Sequence, residues 1–288
     1  MRAGPRFAAM TSIPPLRGHV RWPVPSRAGT ASGPALLARL VVAALMFASA
    51  LQAVGARAED KSAIRGVLEL FTSQGCSSCP PADKLLADYA KQPGVLTLGY
   101  HVDYWDYIGW RDTHGSRANT ERQRDYAKAL NAGTIYTPQM VVNGQTHVIG
   151  SFKNRIDSAL ASTGLDPRAR VDLRLQGDRL HITADLGGAA AETRAPMLVL
   201  VTFDQSSRTD VTRGENRGRQ LVDTHPVRDW RVIGMWSGKP LDVDLPKAML
   251  DPTEDGPVGC AAILQTVTSD GAPGRILAAA TIVLDNGS

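Results

Sequence analysis

Between Val67 and Leu165 the apolar positions switch repeatedly between two rhythms. VLELFTS, from Val67 to Ser73, is a short β-branched and apolar run that reads as a buried strand. After Pro80 and Pro81, ADKLLADYAK sets Leu85, Leu86, Tyr89 and Ala90 at helical spacing, and Gln92-Pro93-Gly94 breaks the pattern. VLTLGYHV, from Val95 to Val102, is a second buried strand. The aromatic, Gly-containing stretch DYWDYIGWRDTHGS reads as a loop. RANTERQRDYAKALNAG keeps Tyr126, Ala127 and Leu130 together and predicts a helix ending at Gly133. IYTPQMVVNGQTHVIG gives two strands about Asn143-Gly144, a pair suited to a tight hairpin turn. FKNRIDSALASTG aligns Phe152, Ile156, Ala159 and Leu160 as a closing helix.

Strand, helix, strand implies a parallel pair with a right-handed crossover. With the hairpin and closing helix added, the order is that of thioredoxin: a mixed four-strand sheet with helices on both faces. From Asp166-Pro167 onward the texture changes. ARVDLRLQGDRLHITADL is a hairpin pinned by Gly177-Asp178, and APMLVLVTF, DWRVIGMWS, GCAAILQTV and RILAAATIVL are further strand runs. The expected fold is an α/β thioredoxin-like domain over residues 59–165, followed by a smaller all-β, sandwich-like domain over 166–288.

The first 58 residues fit neither part. They hold seven Arg and no Asp or Glu, with an apolar core from about Leu40 to Leu51 and an A-x-A site at Ala56-Arg57-Ala58. That is the layout of a secretory signal peptide. The core is short of the roughly 20 residues a membrane-spanning helix needs. Cleavage would leave no stable membrane span and a periplasmic or secreted protein. The leader also accounts for the basic balance: the chain has 32 Lys+Arg against 28 Asp+Glu, but without the leader's seven Arg it has 25 against 28, a net of −3. Nucleic acid is therefore not an expected partner. All three cysteines, Cys76, Cys79 and Cys260, lie beyond the leader, and export would place them where disulfides persist.

Cys76 and Cys79 form a C-x-x-C pair, which serves redox chemistry, metal binding or simple cross-linking. A two-residue spacer constrains little chain, so a purely structural role is inefficient. The pair lies between a predicted strand and a predicted helix, where a helix N-terminus can hold one sulfur as thiolate. A thioredoxin-type site also needs a cis proline just before the hairpin, and Thr137-Pro138 stands there. Pro80 and Pro81 complicate the helix start, because a residue before proline is pushed out of the α region. A start near Pro81, with the prolines in the first turn, would leave Cys76 slightly beyond the amide donors.

The segments LELFTSQGCSSCPPAD, YHVDYWDYIGWRD, YTPQMVVNG and GENRGRQL resemble the marks of a family of secreted bacterial thioredoxin-like proteins known only as a domain of unknown function. The resemblance covers essentially the whole chain after the leader. It implies export and a thioredoxin-like N-terminal domain, and it brings no substrate or activity. By analogy with thioredoxin-like oxidoreductases, Cys76 would be the attacking thiol, Cys79 the resolving thiol and Pro138 the cis proline. The chain departs from thioredoxin at Gln74-Gly75 before the pair and Ser77-Ser78 within it.

The leading expectation is an exported thiol-disulfide oxidoreductase or redox carrier acting on protein thiols or disulfides, with no cofactor. Its catalytic residues would be Cys76, Cys79 and Pro138, with Thr137, Tyr104, Trp105 and Trp110 meeting the substrate. One alternative is a copper metallochaperone, since two thiolates and the His101 imidazole suit Cu(I). Another is a binding module with a structural disulfide. His101 is otherwise a hydrogen-bonded, partly buried imidazole, and Asp103 and Asp106 cap the loop or hold Arg111. The aromatic run that includes Tyr107 roofs the dithiol or packs internally. Cys260, in a buried strand, is expected to be inert. GENRGRQL, with Arg217 and Arg219, is expected to be a solvated loop rather than an anion or domain-contact site.

Overall fold

The computed structural model describes residues 63–188, 195–250 and 258–284. The leader and its cleavage site lie outside the described residues. The first part contains β1 (Gly66–Thr72), α1 (Pro80–Ala90), β2 (Val95–His101), α2 (Arg117–Ala129), β3 (Gln139–Val142), β4 (Thr146–Ile149) and α3 (Lys153–Ser162). The sheet runs β2-β1-β3-β4, with β1 and β2 parallel and the other pairs antiparallel. This is the mixed four-strand sheet that the strand and helix rhythms predict.

Period-two alternation assigns the two faces of β1. Leu68 and Leu70 join Met140 and Val142 against Ala82, Leu86 and Tyr89 of α1 and Ile156 and Ala159 of α3. Val67 and Phe71 point the other way, into a cluster that includes Tyr126 of α2. Helices therefore cover both faces.

The remaining strands are β5 (Arg170–Gln176), β6 (Arg179–Asp185), β7 (Met197–Asp204), β8 (Ser206–Asp210), β9 (Gln220–Thr224), β10 (Val227–Met235), β11 (Leu241–Pro246), β12 (Val258–Val267) and β13 (Pro273–Leu284). They form antiparallel sheets of order β10-β7-β12-β13 and β11-β6-β5, and a β8-β9 ribbon. MLVLV and CAAIL, within these strands, read as unbroken apolar runs because both strands are buried on two faces. Leu198, Leu200, Cys260, Ala262 and Leu264 meet Leu173, Leu180 and Ile182 of the three-stranded sheet. Val199, Val201, Phe203, Ala261 and Ile263 share the cluster of Phe71, Leu98 and Tyr100. One apolar cluster thus joins the dithiol sheet to the antiparallel region.

That cluster holds a buried charge. Glu69 lies on the same face of β1 as Val67 and Phe71, and Arg122 of α2 donates to its Oε1 from Nε at 3.0 Å and Nη2 at 2.7 Å. Arg122 also donates to Gln265 of β12 at 3.2 Å, while Tyr126 OH donates to Glu69 Oε2. Burying an ion pair is costly unless further hydrogen bonds compensate, and these bonds supply compensation across the two regions.

Two further joints fix the halves together. Asn143 and Gly144 both take positive φ in the β3–β4 turn, and the Asn143 carbonyl accepts from Ile276 N at 2.9 Å. At the open edge of the first sheet, Gly99 of β2 donates to the His225 carbonyl at 2.8 Å. That bond anchors the foot of the β8-β9 ribbon beside the C-terminal ends of β1 and β2.

Candidate functional site

Cys76 and Cys79 are joined as a disulfide with a Cα–Cα distance of 5.4 Å, within the normal range for such a bond. The pair lies between β1 and α1. Helix α1 starts at Pro80, one residue earlier than expected, with the prolines in its first two positions and Cys79 held in the α region. The prolines carry no N–H, and the next two amides, of Ala82 and Asp83, both go to the Cys79 carbonyl at 2.8 and 3.1 Å. Cys79 N in turn donates to the Cys76 carbonyl at 3.2 Å. The helix start therefore offers the Cys76 sulfur little of the amide support that depresses a thiol pKa.

Pro138 is preceded by a cis peptide bond. The pairing of Phe71 with Gln139 brings it beside the end of β1, from which the dithiol loop springs. Trp105 links the two: its Nε1 donates to Thr137 Oγ1 at 2.7 Å, and its Cβ packs so closely on Gly75 that a Cβ there would come within 3.2 Å. Trp110 donates to Gln74 Oε1 at 3.1 Å. Tyr104 and Trp105 pack against the shared apolar cluster, whereas Tyr107 is exposed. Asp103 accepts from Thr120 Oγ1 at 2.6 Å and Asp106 from Asp112 N at 3.1 Å, so both brace the aromatic loop.

Beneath the disulfide lies a buried polar cluster. Thr72 and His101 end β1 and β2 on the face that α1 covers, and Thr72 Oγ1 donates to Asp83 Oδ1 at 2.7 Å. His101 Nδ1 donates to Asp112 Oδ2 at 2.8 Å, and its Nε2 lies 3.8 Å from Asp223 of β9. His114 Nε2 approaches the same Asp223 carboxylate at 3.9 Å. Burial opposes the His101 charge, but Asp112 and Asp223 prevail and raise its pKa to about 9. Burial pushes the Asp83 carboxyl up to about 7, against the pull of His101. The His101 charge and the bonds from Gln74 and His114 amides overcome burial at Asp112 and hold it below the usual carboxylate range. Burial and the neighbouring His101 charge push His114 down. The arrangement is one cation between two carboxylates, with a third carboxyl poised to hold a proton near neutrality.

Gln74 ties this cluster to the dithiol loop. Its amide N donates to Asp112 Oδ2 at 2.7 Å and its Nε2 to Asp223 Oδ2 at 2.8 Å. The loop between β8 and β9 then closes over the top. Asn216, fully buried, donates through Nδ2 to the carbonyls of Gln74 at 2.9 Å and Cys76 at 3.0 Å, and Glu215 accepts from Ser77 N at 3.2 Å. GENRGRQL is therefore a contact between the two regions, not a solvated loop. Arg217 and Arg219 do face solvent, and the residue between them and Glu215 is the one that turns inward.

His101 is buried and hydrogen-bonded, with both ring nitrogens facing carboxylates and both cysteine sulfurs bonded to each other. Among the described residues no group of three or more His, Cys, Asp or Glu side chains is arranged to hold a metal ion. The copper set of Cys76, Cys79 and His101 would need that disulfide reduced and His101 released from Asp112 and Asp223. Cys260 faces the sandwich core, and burial raises its thiol pKa to about 12. Asp83, Asp112, His114, Asp223 and Asn216 escaped the sequence reading. Asp112 and Asn216 lie within the segments YHVDYWDYIGWRD and GENRGRQL, but the packing that gathers all five around the dithiol loop is long-range.

A family model described as "Protein of unknown function (DUF1223)" matches residues 67–265. Among solved structures, the X-ray structure of protein AGR_C_4864 from Agrobacterium tumefaciens is 37% identical, with a TM-score of 0.67, and the match covers 78% of this chain and 96% of that one. OgpA from Akkermansia muciniphila matches at 10% identity and a TM-score of 0.25, over 62% of this chain and 37% of that one. No curated protein matches. The family match runs from β1 through the dithiol, the cis proline and the covering loop into β12, and the chain belongs to the DUF1223 family.

Proposed function

We propose that this protein is an exported thiol-disulfide oxidoreductase acting on protein thiols or disulfides. The observation that carries the reading is the Cys76–Cys79 disulfide at the β1–α1 junction, with the cis Thr137-Pro138 bond beside it on the neighbouring strand. The leader's composition supports a periplasmic or secreted location, where such a pair cycles rather than remaining reduced.

In the reducing direction the Cys76 thiolate attacks a partner disulfide, forming a Cys76–partner bond and releasing one partner thiolate, which takes a proton. The Cys79 thiolate then attacks Cys76 Sγ, forms the intramolecular disulfide and releases the second partner thiolate, which is protonated in turn. Two electrons and two protons pass to the partner. Thr137 and Pro138 would align the partner's backbone, with Trp105 holding Thr137. The scarcity of free amides around Cys76 argues against a strongly stabilised thiolate, and hence against the most oxidising class of dithiols.

The test is trapping. Reduced Cys79→Ser protein mixed with glutathione disulfide should accumulate a stable Cys76–glutathione bond visible by mass, and Cys76→Ser should accumulate far less. Equal or absent adducts in both variants would remove the assigned roles.

A further inference from the structure

Exchange at a disulfide requires an incoming sulfur to reach one of its two sulfurs, yet neither Cys76 nor Cys79 has any exposed surface. Some element must move. β1 and α1 are fixed by Leu68, Leu70, Ala82 and Leu86 in an apolar cluster. Trp105 is held by Thr137 and by the shared core.

The β8–β9 loop, residues 211–219, is held differently. None of its residues belongs to a hydrophobic cluster among the described residues, and only Val211 and Asn216 are buried. Gly214 and Gly218 turn it at positive φ. Its grip on the dithiol loop consists of the two Asn216 bonds and the exposed Glu215 contact. Segments with few buried apolar contacts and a handful of hydrogen bonds are those that open locally while the rest of a fold stays intact.

We infer that this loop is a lid on the dithiol and that Asn216 is its latch. Closed, the lid keeps both sulfurs out of reach; open, it frees Cys76 for exchange. The inference rests on the oxidoreductase reading and adds regulation of that same site. Glu215 gives the closed state a second effect. Its carboxylate accepts from the Ser77 amide, next to Cys76, so closure occupies a donor beside the residue that would form the thiolate. The foot of the lid is coupled to the same site, because Asp223 of β9 and Thr209 of β8 both accept from Gln74 Nε2, at 2.8 and 3.2 Å. A partner that displaces the lid would therefore expose and activate Cys76 in one movement.

The experiment measures the rate at which tris(2-carboxyethyl)phosphine reduces the Cys76–Cys79 disulfide of the oxidised protein. The phosphine takes oxygen from water and becomes the phosphine oxide, while the disulfide becomes two thiols. The wild-type rate should level off as phosphine rises, because opening becomes limiting. Asn216→Ala should react about tenfold faster, the effect of weakening the closed state by one or two hydrogen bonds. Glu215→Gln, a change at an exposed position, should shift the rate the same way by a smaller factor, and it serves if Asn216→Ala does not fold. A wild-type rate proportional to phosphine throughout, matched by both variants, would overturn the lid. The equilibrium potential measured on the same samples keeps the two readings apart. An exchange-active potential with wild type and both variants reacting alike and in proportion to phosphine sinks the lid alone, and a potential too low for exchange with glutathione sinks the oxidoreductase reading whatever the kinetics.

Discussion

Asp83 shows how a single side chain registers its surroundings. It enters the interior from the first turns of α1 with one hydrogen-bond donor, Thr72, and with Asp112 and Asp223 nearby. Burial is the largest influence, and the carboxyl retains its proton up to about pH 7, compared with 3.8 for an unperturbed aspartate. Between those values the native state binds more protons than the unfolded chain, so stability falls as pH rises through this window. Asp83→Asn removes that dependence while leaving an oxygen for Thr72 to bond. The melting temperature of the variant, relative to wild type, should therefore climb between pH 5 and pH 8; a difference that stays constant would contradict the assigned protonation. His101 has the same sign in a higher window: its contribution is complete below 6.5 and is lost as pH rises through about 9. None of this was legible in the sequence. Asp83 reads there as an ordinary polar position on an amphipathic helix, because its environment is assembled from β1, β2 and β9.

At the scale of elements, the alternating rhythms located most strands and helices, because each buries one face or two in the way its pattern implies. The β5–β6 hairpin pivots on Gly177-Asp178, and the β3–β4 turn on Asn143-Gly144, as the turn residues predict. The ribbon and β11 were missed for opposite reasons. In β11, LDVDLP alternates cleanly but is bounded by weak signals, while β8 and β9 are largely polar and owe their pairing to the site they enclose. The Asn143-Gly144 turn does more than reverse the chain. A Cβ on Gly144 would collide with the Gly274 carbonyl oxygen at the start of β13, and its φ of 63° already favours glycine. Gly144→Ala should cost about 1–3 kcal/mol in urea unfolding. A loss below a few tenths would show that the joint between the β3–β4 hairpin and β13 is looser than described.

For the whole molecule, the thioredoxin-like half and the antiparallel half do not merely adjoin. Val199, Val201 and Phe203 of β7 and Ala261 and Ile263 of β12 complete the core on which β1 and β2 rest. Arg122 spans the same boundary with its bonds to Glu69 and Gln265. The sequence reading could place a boundary near Asp166 from the change in texture, but the unbroken apolar character of β7 and β12 was the available sign that these strands serve two cores. The antiparallel half also supplies what thioredoxin-like order alone does not: Asp223 beneath the dithiol and Asn216 above it. The oxidoreductase proposed for this enclosed pair stands or falls with the reduction potential of Cys76–Cys79. The pair would be equilibrated with glutathione buffers and read by mass after thiol trapping. With little amide support for a Cys76 thiolate, the expected value lies between about −270 and −200 mV, in the range of exchange-active, moderately reducing dithiols. A value below about −300 mV would make the pair a structural cross-link rather than an exchanging dithiol.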